Sequence, residues 1–331
     1  MNKASYKYIF LFSFFILKGI DGITQAYQFT QFYASPTFLN PAFAGAGVCQ
    51  RLTTNYRMQW ASVPGAFQTY LLAFDHAIMR KNSGVGVLIT NDKAGSGGLS
   101  TTSFNAQYSY HLTLSREWRL NAGAQIGYVA RSINFDKLIF GDQIAHGTAT
   151  SVTPQTNDFK GYLDASSGVL LYSHDLWIGL STHHLNTPNQ SLLGAKSQLP
   201  VLYSVHLGWV IPLIHRGMAG KSITHITPAI NYRAQGKFDQ FDAGCYYEYS
   251  KFVFGLWYRG IPFFKAYKRG YPNHDAVAFL IGTSIERFKF GYSYDLTISW
   301  LAGSTGGSHE LSLTYQFCQW KRKSAIPCPK F

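Results

Sequence analysis

The chain has 331 residues, of which 16% are aromatic and only 14% charged, against roughly a quarter charged in ordinary globular proteins. A mean hydropathy of -0.06 excludes a helical membrane protein, and the low charge disfavours a soluble enzyme; strands that turn every second residue to lipid fit both values. The net charge of +13 comes from Lys and Arg scattered singly, with no basic helix or zinc-finger spacing, so nucleic acid is not an expected partner.

Residues 1–26 read as a signal peptide. Lys3 and Lys7 supply the positive charge, Ile9 to Leu17 forms an apolar core broken only by Ser13, and Thr24-Gln25-Ala26 resembles a small-x-small cleavage site. That core is too short for a transmembrane helix, which needs about 20 residues, and no Cys follows it closely enough for lipid attachment. Residues 27–48 form an N-terminal segment expected on the periplasmic side. Within it, Asn40-Pro41-Ala42-Phe43-Ala44-Gly45 is apolar with turn residues, and Phe38, Leu39 and Phe43 have no soluble core to join. The segment is expected to pack into a barrel mouth or lumen, with Asn40, Pro41 and Phe43 as candidate plug or partner contacts.

From about residue 50 the pattern has period 2, the mark of a half-buried strand. Phe104, Ala106, Tyr108, Tyr110 and Leu112 alternate with Asn105, Gln107, Ser109 and His111. Trp118, Leu120, Ala122, Ala124, Ile126 and Tyr128 oppose Arg119, Asn121, Gly123, Gln125 and Gly127. The same holds for Phe288, Phe290, Tyr292, Tyr294, Leu296 and Ile298, and for Leu311, Leu313, Tyr315 and Phe317. Segments of about ten residues or more suit tilted membrane strands, and their aromatic-rich faces suit interfacial girdles.

About fourteen such segments start near residues 50, 66, 84, 98, 117, 159, 175, 200, 222, 237, 252, 274, 287 and 308. The expected fold is therefore an all-β, antiparallel, up-and-down transmembrane β-barrel of outer-membrane type. It occupies residues 49–317, with outer-membrane lipid around it and a periplasmic tail over 318–331. Connections at Arg80–Ser83, Ser115-Arg116, Ser173-His174, Ser250-Lys251 and Glu286-Arg287 are tight, with Ile214–Lys221 a longer exception. The alternate connections include the long excursions Ser132–Asp158, Leu185–Leu199, Gly260–Asn273 and Ser299–Gly307. This rhythm puts the short turns and both termini in the periplasm.

Ser132–Asp158 carries Phe135, Leu138, Ile139 and Phe140, more apolar than a solvated loop should be. It either folds into the lumen as a constriction or docks a cargo; Phe135, Phe140 and Asp142 are its candidate contacts. Cys318 and Cys328 are ten residues apart and could pair in an oxidising periplasm; two free thiols are the equal alternative. Cationic Lys321-Arg322-Lys323 in the tail could meet a partner or the anionic cell wall, or simply be solvated.

Catalytic chemistry finds no foothold. HExxH, GxSxG and GxxxxGK[ST] are all missing from the sequence. Adjacent His183 and His184 point to opposite faces of a strand, as do Asp75 and His76, so no metal ligand set is expected. Inward Asp242, Glu248, Asp295 and Glu310 could form a structural lumen network with Lys289 and Arg119. Neither an enzymatic site nor a cofactor is expected.

The string Gln31-Phe32-Tyr33…Asn40-Pro41-Ala42-Phe43-Ala44-Gly45 resembles the opening of the PorP/SprF family of Bacteroidota. So do Tyr56-Arg57-Met58-Gln59-Trp60, Asn91-Asp92…Gly95, Phe140-Gly141-Asp142-Gln143 and His184-Leu185-Asn186-Thr187-Pro188. Gly291-Tyr292-Ser293-Tyr294-Asp295…Gly307-Ser308-His309-Glu310-Leu311-Ser312-Leu313 and the basic tail leading to Pro327-Cys328-Pro329 complete the likeness. Cys49, and Phe32-Tyr33 where many relatives have Tyr-Met, depart from it. The resemblance implies an outer-membrane component of type IX secretion. Its implied partners are a periplasmic ring or peptidoglycan-binding protein, or a large secreted adhesin that it helps to export or attach. It also favours an inward fold for the Phe140-Gly141-Asp142-Gln143 loop. A small-solute channel or transporter is the competing expectation.

Overall fold

The computed structural model describes residues 27–317, apart from residues 48, 97, 150, 152–157, 193, 195, 218–219 and 269–270. Two short helices, α1 (Pro36–Leu39) and a 3-10 turn (Pro41–Phe43), precede the first strand. The strands of the first half are β1 (Gln50–Gln59), β2 (Phe67–Ile78), β3 (Ser83–Ala94), β4 (Leu99–Thr113) and β5 (Arg119–Ser132). A second helix, α2 (Gly141–His146), lies in the connection that follows, before β6 (Phe159–Tyr172), β7 (Leu176–His183), β8 (Leu202–Trp209) and β9 (Ile211–Gly217). The chain then makes β10 (Gly220–Gln235), β11 (Phe238–Tyr249), β12 (Phe252–Lys268), β13 (Tyr271–Ile285), β14 (Phe288–Thr297) and β15 (Ser308–Phe317).

Each strand pairs antiparallel with its sequence neighbours. β8 and β9 both pair with β10, along Leu202–Gly208 and Ile211–Gly217, so they are two halves of one strand interrupted at Val210. Counted so, the described residues form a closed barrel of fourteen strands. Closure is made by β1 against β15, in register from Gln50↔Phe317 to Gln59↔Ser308. β1 therefore begins and β15 ends at one rim, the rim that also carries the tight turns at 79–82, 173–175, 250–251 and 286–287.

The outward and inward faces divide as the period-2 pattern requires. Phe104, Tyr108, Tyr110 and Leu112 on β4, and Phe288, Phe290, Tyr292 and Leu296 toward the other end of the chain, are exposed on the outer wall. Asn105, Gln107, Ser109, Asn121, Ser293 and Glu310 are buried inside. A soluble sandwich reverses this arrangement; lipid outside and polar packing inside reproduce it.

Two connections differ from expectation. Ile214–Lys221 is a continuation of the sheet: β9 and β10 stay paired out to Gly217↔Gly220. Gly260–Asn273 is likewise no loop, for β12 and β13 stay paired out to Lys268↔Tyr271. Their register shifts at Arg259/Gly260 and beyond, the mark of bulges. Those bulges break the alternation on which the sequence-based expectation rested.

Candidate functional site

A barrel interior is normally the place where function is decided, and here it is occupied by the chain's own N-terminal segment. Residues 27–47 lie inside the wall, with Phe29, Phe32, Leu39, Ala42, Phe43, Ala44 and Ala46 all buried. Phe32, Leu39, Ala42 and Phe43 pack with Leu170, Tyr172, Trp177, Tyr246, Trp257 and Leu280 of the wall. Phe29 packs with Leu71, Ala73 and Leu88, with Tyr27 and Phe38 beside them. Covering each phenylalanine is worth roughly 1.5–3 kcal/mol relative to leaving it in a wet lumen. Residues 27–47 therefore fill the lumen, because their apolar side chains meet apolar inward positions of the wall.

An irregular segment cannot satisfy its own backbone, so the wall must. Gln107 Nε2 donates to the Thr37 carbonyl at 2.8 Å and Ser181 Oγ to the Leu39 carbonyl at 2.8 Å. Asn121 Nδ2 donates to the Ala42 carbonyl at 3.2 Å, while the Gly45 N–H donates to Asp75 Oδ2 at 3.2 Å. Asn40 works in both directions. Its Oδ1 accepts from the Ala42 N–H at 2.9 Å, capping the 3-10 turn. Its Nδ2 donates to the carbonyls of Val169 and Leu180, each at 3.1 Å. Phe43 stacks on His206 at 5.4 Å between ring centroids.

Close approach at two points demands glycine. A Cβ on Gly123 would stand 2.3 Å from the Ala42 nitrogen, and one on Gly168 would stand 2.0 Å from Asn40 Oδ1. β5 and β6 thus offer bare backbone on which the Asn40–Phe43 turn rests.

Nearer the long-loop rim, a charge cluster grips the head of the segment. Arg57 pairs with Asp295 at 2.7 Å and Glu310 at 3.2 Å. Arg259 bridges Asp242 at 2.8 Å and Asp295 at 3.2 Å, and Arg233 also reaches Asp242 at 3.4 Å. Three arginines face three carboxylates, so the buried cluster is balanced. Glu310 accepts from the N–H groups of Thr30 and Gln31, and Asp295 accepts from Thr30 Oγ1. Arg233 donates to Gln28 Oε1 at 2.7 Å. The Tyr27 phenol is bonded to Thr90, and burial pushes it up to about 12, so it stays protonated. A cavity of about 10 Å³ remains beside Thr30, Phe32, Asp242, Trp257 and Arg259, room for about one water molecule.

The residues singled out from sequence separate into two groups. Asn40, Pro41 and Phe43 come together inside the barrel. Phe135, Phe140 and Asp142 lie in the β5–β6 connection, where neither the 3-10 turn at Phe135–Lys137 nor α2 has a buried residue. Phe135 and Phe140 stack on each other at 6.3 Å, and Asp142 accepts from Ser151. Ile139 and Ile144 are 77% and 73% exposed, so these two residues do not pack into the lumen. His183 and His184 engage different partners, Leu39 O and Asp164, and no metal-holding cluster occurs among the described residues. Of the acidic residues expected to line the lumen, Asp242, Asp295 and Glu310 do so. Their arginine partners are Arg57, Arg233 and Arg259; Arg57 shares the parity of buried Thr53 and Asn55 on β1. Cys49 is disulfide-bonded and Cys245 is free; the anticipated partners Cys318 and Cys328 lie outside the described residues.

The family described as type IX secretion system membrane protein PorP/SprF matches residues 22–315. No curated protein sequence matches the chain. Among solved structures it is similar to the Pseudomonas putida toluene transporter TodX, with a TM-score of 0.48 and 9% identity over 89% of this chain and 95% of that one. A Pseudomonas aeruginosa FadL homologue gives a TM-score of 0.44 and 11% identity over 86% and 94% of the two chains. A Rhodopseudomonas blastica porin gives 0.36 and 6% over 81% and 99%.

Proposed function

The chain belongs to the type IX secretion system membrane protein PorP/SprF family, and from that premise we propose that it acts without catalysis, as a sealed outer-membrane dock. In this role it helps to export a secreted cargo, such as a large adhesin, or holds that cargo at the surface. It is an outer-membrane barrel and a membrane component of type IX secretion. The observation that carries the finer reading is the filled lumen: wall groups from β1, β4, β5, β7 and β15 hold residues 27–47 in place. A barrel so filled offers surfaces and rims instead of a passage, which weighs against a small-solute channel. The short-turn rim faces the periplasm in this proposal, with residues 1–26 removed on export and the tail 318–331 available to ring or peptidoglycan-binding components. The loops, including Phe135, Phe140 and Asp142, face outward toward cargo.

The test is to delete the gene and quantify secreted and surface-attached proteins by mass spectrometry, alongside small-solute uptake. The reading expects one or a few large proteins to be lost from the surface while uptake is unchanged. An intact surface proteome with reduced uptake of small solutes would overturn it and restore the channel.

A further inference from the structure

We propose that the long-loop end of β6, from Phe159 to Leu163, takes up an extended, carboxylate-bearing stretch of the exported protein as an added strand. The inference rests on the cargo-holding role proposed above. β6 pairs with β5 along its whole length, from Ser132↔Phe159 to Arg119↔Tyr172. On its other side it meets β7 over six pairs only, Ser167↔Thr182 to Tyr172↔Trp177. A tilted membrane strand needs about nine to eleven residues, so this seam stops short of the long-loop rim and leaves a notch in the wall. Among the described residues no strand takes the place of β7 there.

The His184-Leu185-Asn186-Thr187-Pro188 string builds that notch. His184 and Thr187 have φ values of 60° and 41°, left-handed backbone that turns the chain off the sheet. The Leu185 N–H donates to the Ala165 carbonyl at 2.9 Å. Asn186 then stands in for one peptide group: its Oδ1 accepts from the Ala165 N–H at 3.2 Å and its Nδ2 donates to the Leu163 carbonyl at 2.7 Å. The ladder ends on that amide. Main-chain groups alternate sides along a strand, so the Leu163 N–H and both groups of Gly161 point the same way as those of Ala165, into the notch. No described group bonds to them there. A bare edge at this depth calls for another backbone, and four steps of strand, about 14 Å, suffice for a short added one.

Charge selects the occupant. Arg131 and Lys160 stand directly opposite each other across β5 and β6, a pairing of like charges that is unfavourable by itself. Neither has an ion-pair partner among the described residues; Arg131 donates only to the neutral side chain of Gln190. Asp164, the acid one turn of the pleat below, is taken by His184 at 3.0 Å. A carboxylate on the added strand supplies the missing counter-charge. An anionic lipid headgroup answers the charge but not the main-chain groups.

The edge can be probed in intact cells with full-length protein carrying the photo-crosslinker p-benzoylphenylalanine at position 159 or 163, both on exposed side chains. Position 104, exposed on the fully paired β4, is the control. Irradiation is expected to join 159 and 163, but not 104, to the protein that leaves the surface when the gene is deleted, through a peptide containing Asp or Glu. Lys160→Glu sets opposite charges across β5 and β6, so the barrel should melt no lower than wild type while crosslinked and surface-held protein falls more than about tenfold. Leu163→Pro removes the N–H aimed into the notch, leaves the bonds toward β5, and should lower the yield about fivefold. Crosslinks only to lipid or to a second copy of the chain, or full retention by a folded Lys160→Glu barrel, would overturn the inference and leave the dock standing. A gene deletion that removes no surface protein overturns the dock itself, and this inference with it.

Discussion

The backbone N–H of Thr30 donates to Glu310 Oε2 at 2.7 Å, across 280 residues of sequence. One carboxylate of the closing strand therefore holds the head of the lumen segment, since its other oxygen takes the Gln31 N–H at 3.0 Å. The same carboxylate neutralises Arg57. Fixing the segment and balancing the wall are thus one task.

Glu310→Ala is expected to cost about 3–5 kcal/mol, the usual penalty for removing one partner of a buried pair. Arg57 keeps Asp295 at 2.7 Å, but the N–H groups of Thr30 and Gln31 lose their acceptor. The readout is the denaturant midpoint of the folded barrel, followed by its mobility in gels, with protease cleavage between residues 27 and 47 as the second measure. Glu310→Gln keeps an acceptor without the charge and should lose less. An unchanged midpoint together with unchanged protection would remove the cluster from the account.

Asn40 gives a sharper comparison because two replacements differ in one chemical respect. Asn40→Ala deletes the bonds to Val169 O, Leu180 O and the Ala42 N–H, at about 1–3 kcal/mol for each buried group left unsatisfied. Asn40→Asp has the same shape and can still cap Ala42, yet it turns a carboxylate oxygen toward two carbonyl oxygens. The expected order of stability is Asn, then Ala, then Asp at neutral pH. A thermal melt that places Asp above Ala would mean that Nδ2 is not anchoring the turn.

Much of this architecture was legible because period-2 alternation is a direct consequence of a wall between two solvents. Phe288 to Ile298 and Leu311 to Phe317 show it almost without interruption, and the fourteen strand starts follow. The Asn40–Gly45 turn was legible for a different reason: its apolar residues needed a place to go. What could not be read was which inward groups hold it. Gln107, Asn121 and Ser181 look like any polar face until the segment's carbonyls are set against them. The β12–β13 extension was hidden by its register shifts. For the β5–β6 connection, hydrophobicity alone could not separate an inward fold from exposed Ile139 and Ile144.

Phe135 and Phe140 supply a test of that distinction. Their stack is worth about 0.5–1.5 kcal/mol within the connection, and no described residue of the connection belongs to the apolar clusters of the lumen. The double variant Phe135→Ala with Phe140→Ala should leave the barrel's melting behaviour within about 0.5 kcal/mol of wild type and its bilayer conductance at background. Surface retention of cargo is where its effect should show. A new conductance in the double variant would return this connection to the role of constriction.

Removal of residues 30–45 separates a filling from a bystander. The wall closes on itself through β1 and β15 without help from the segment, so the shortened chain keeps its complete strand ladder. It exposes Leu170, Tyr172, Trp177 and Trp257 to a wet interior and strands the Arg57 cluster without Thr30 and Gln31. The shortened barrel should therefore be less stable but still assemble, and fourteen strands enclose space of intermediate width once emptied. Permeability to small solutes and single-channel conductance in planar bilayers should rise from background to a steady open level. If permeability stays where it was in a barrel that has folded, the lumen is closed by something other than residues 30–45.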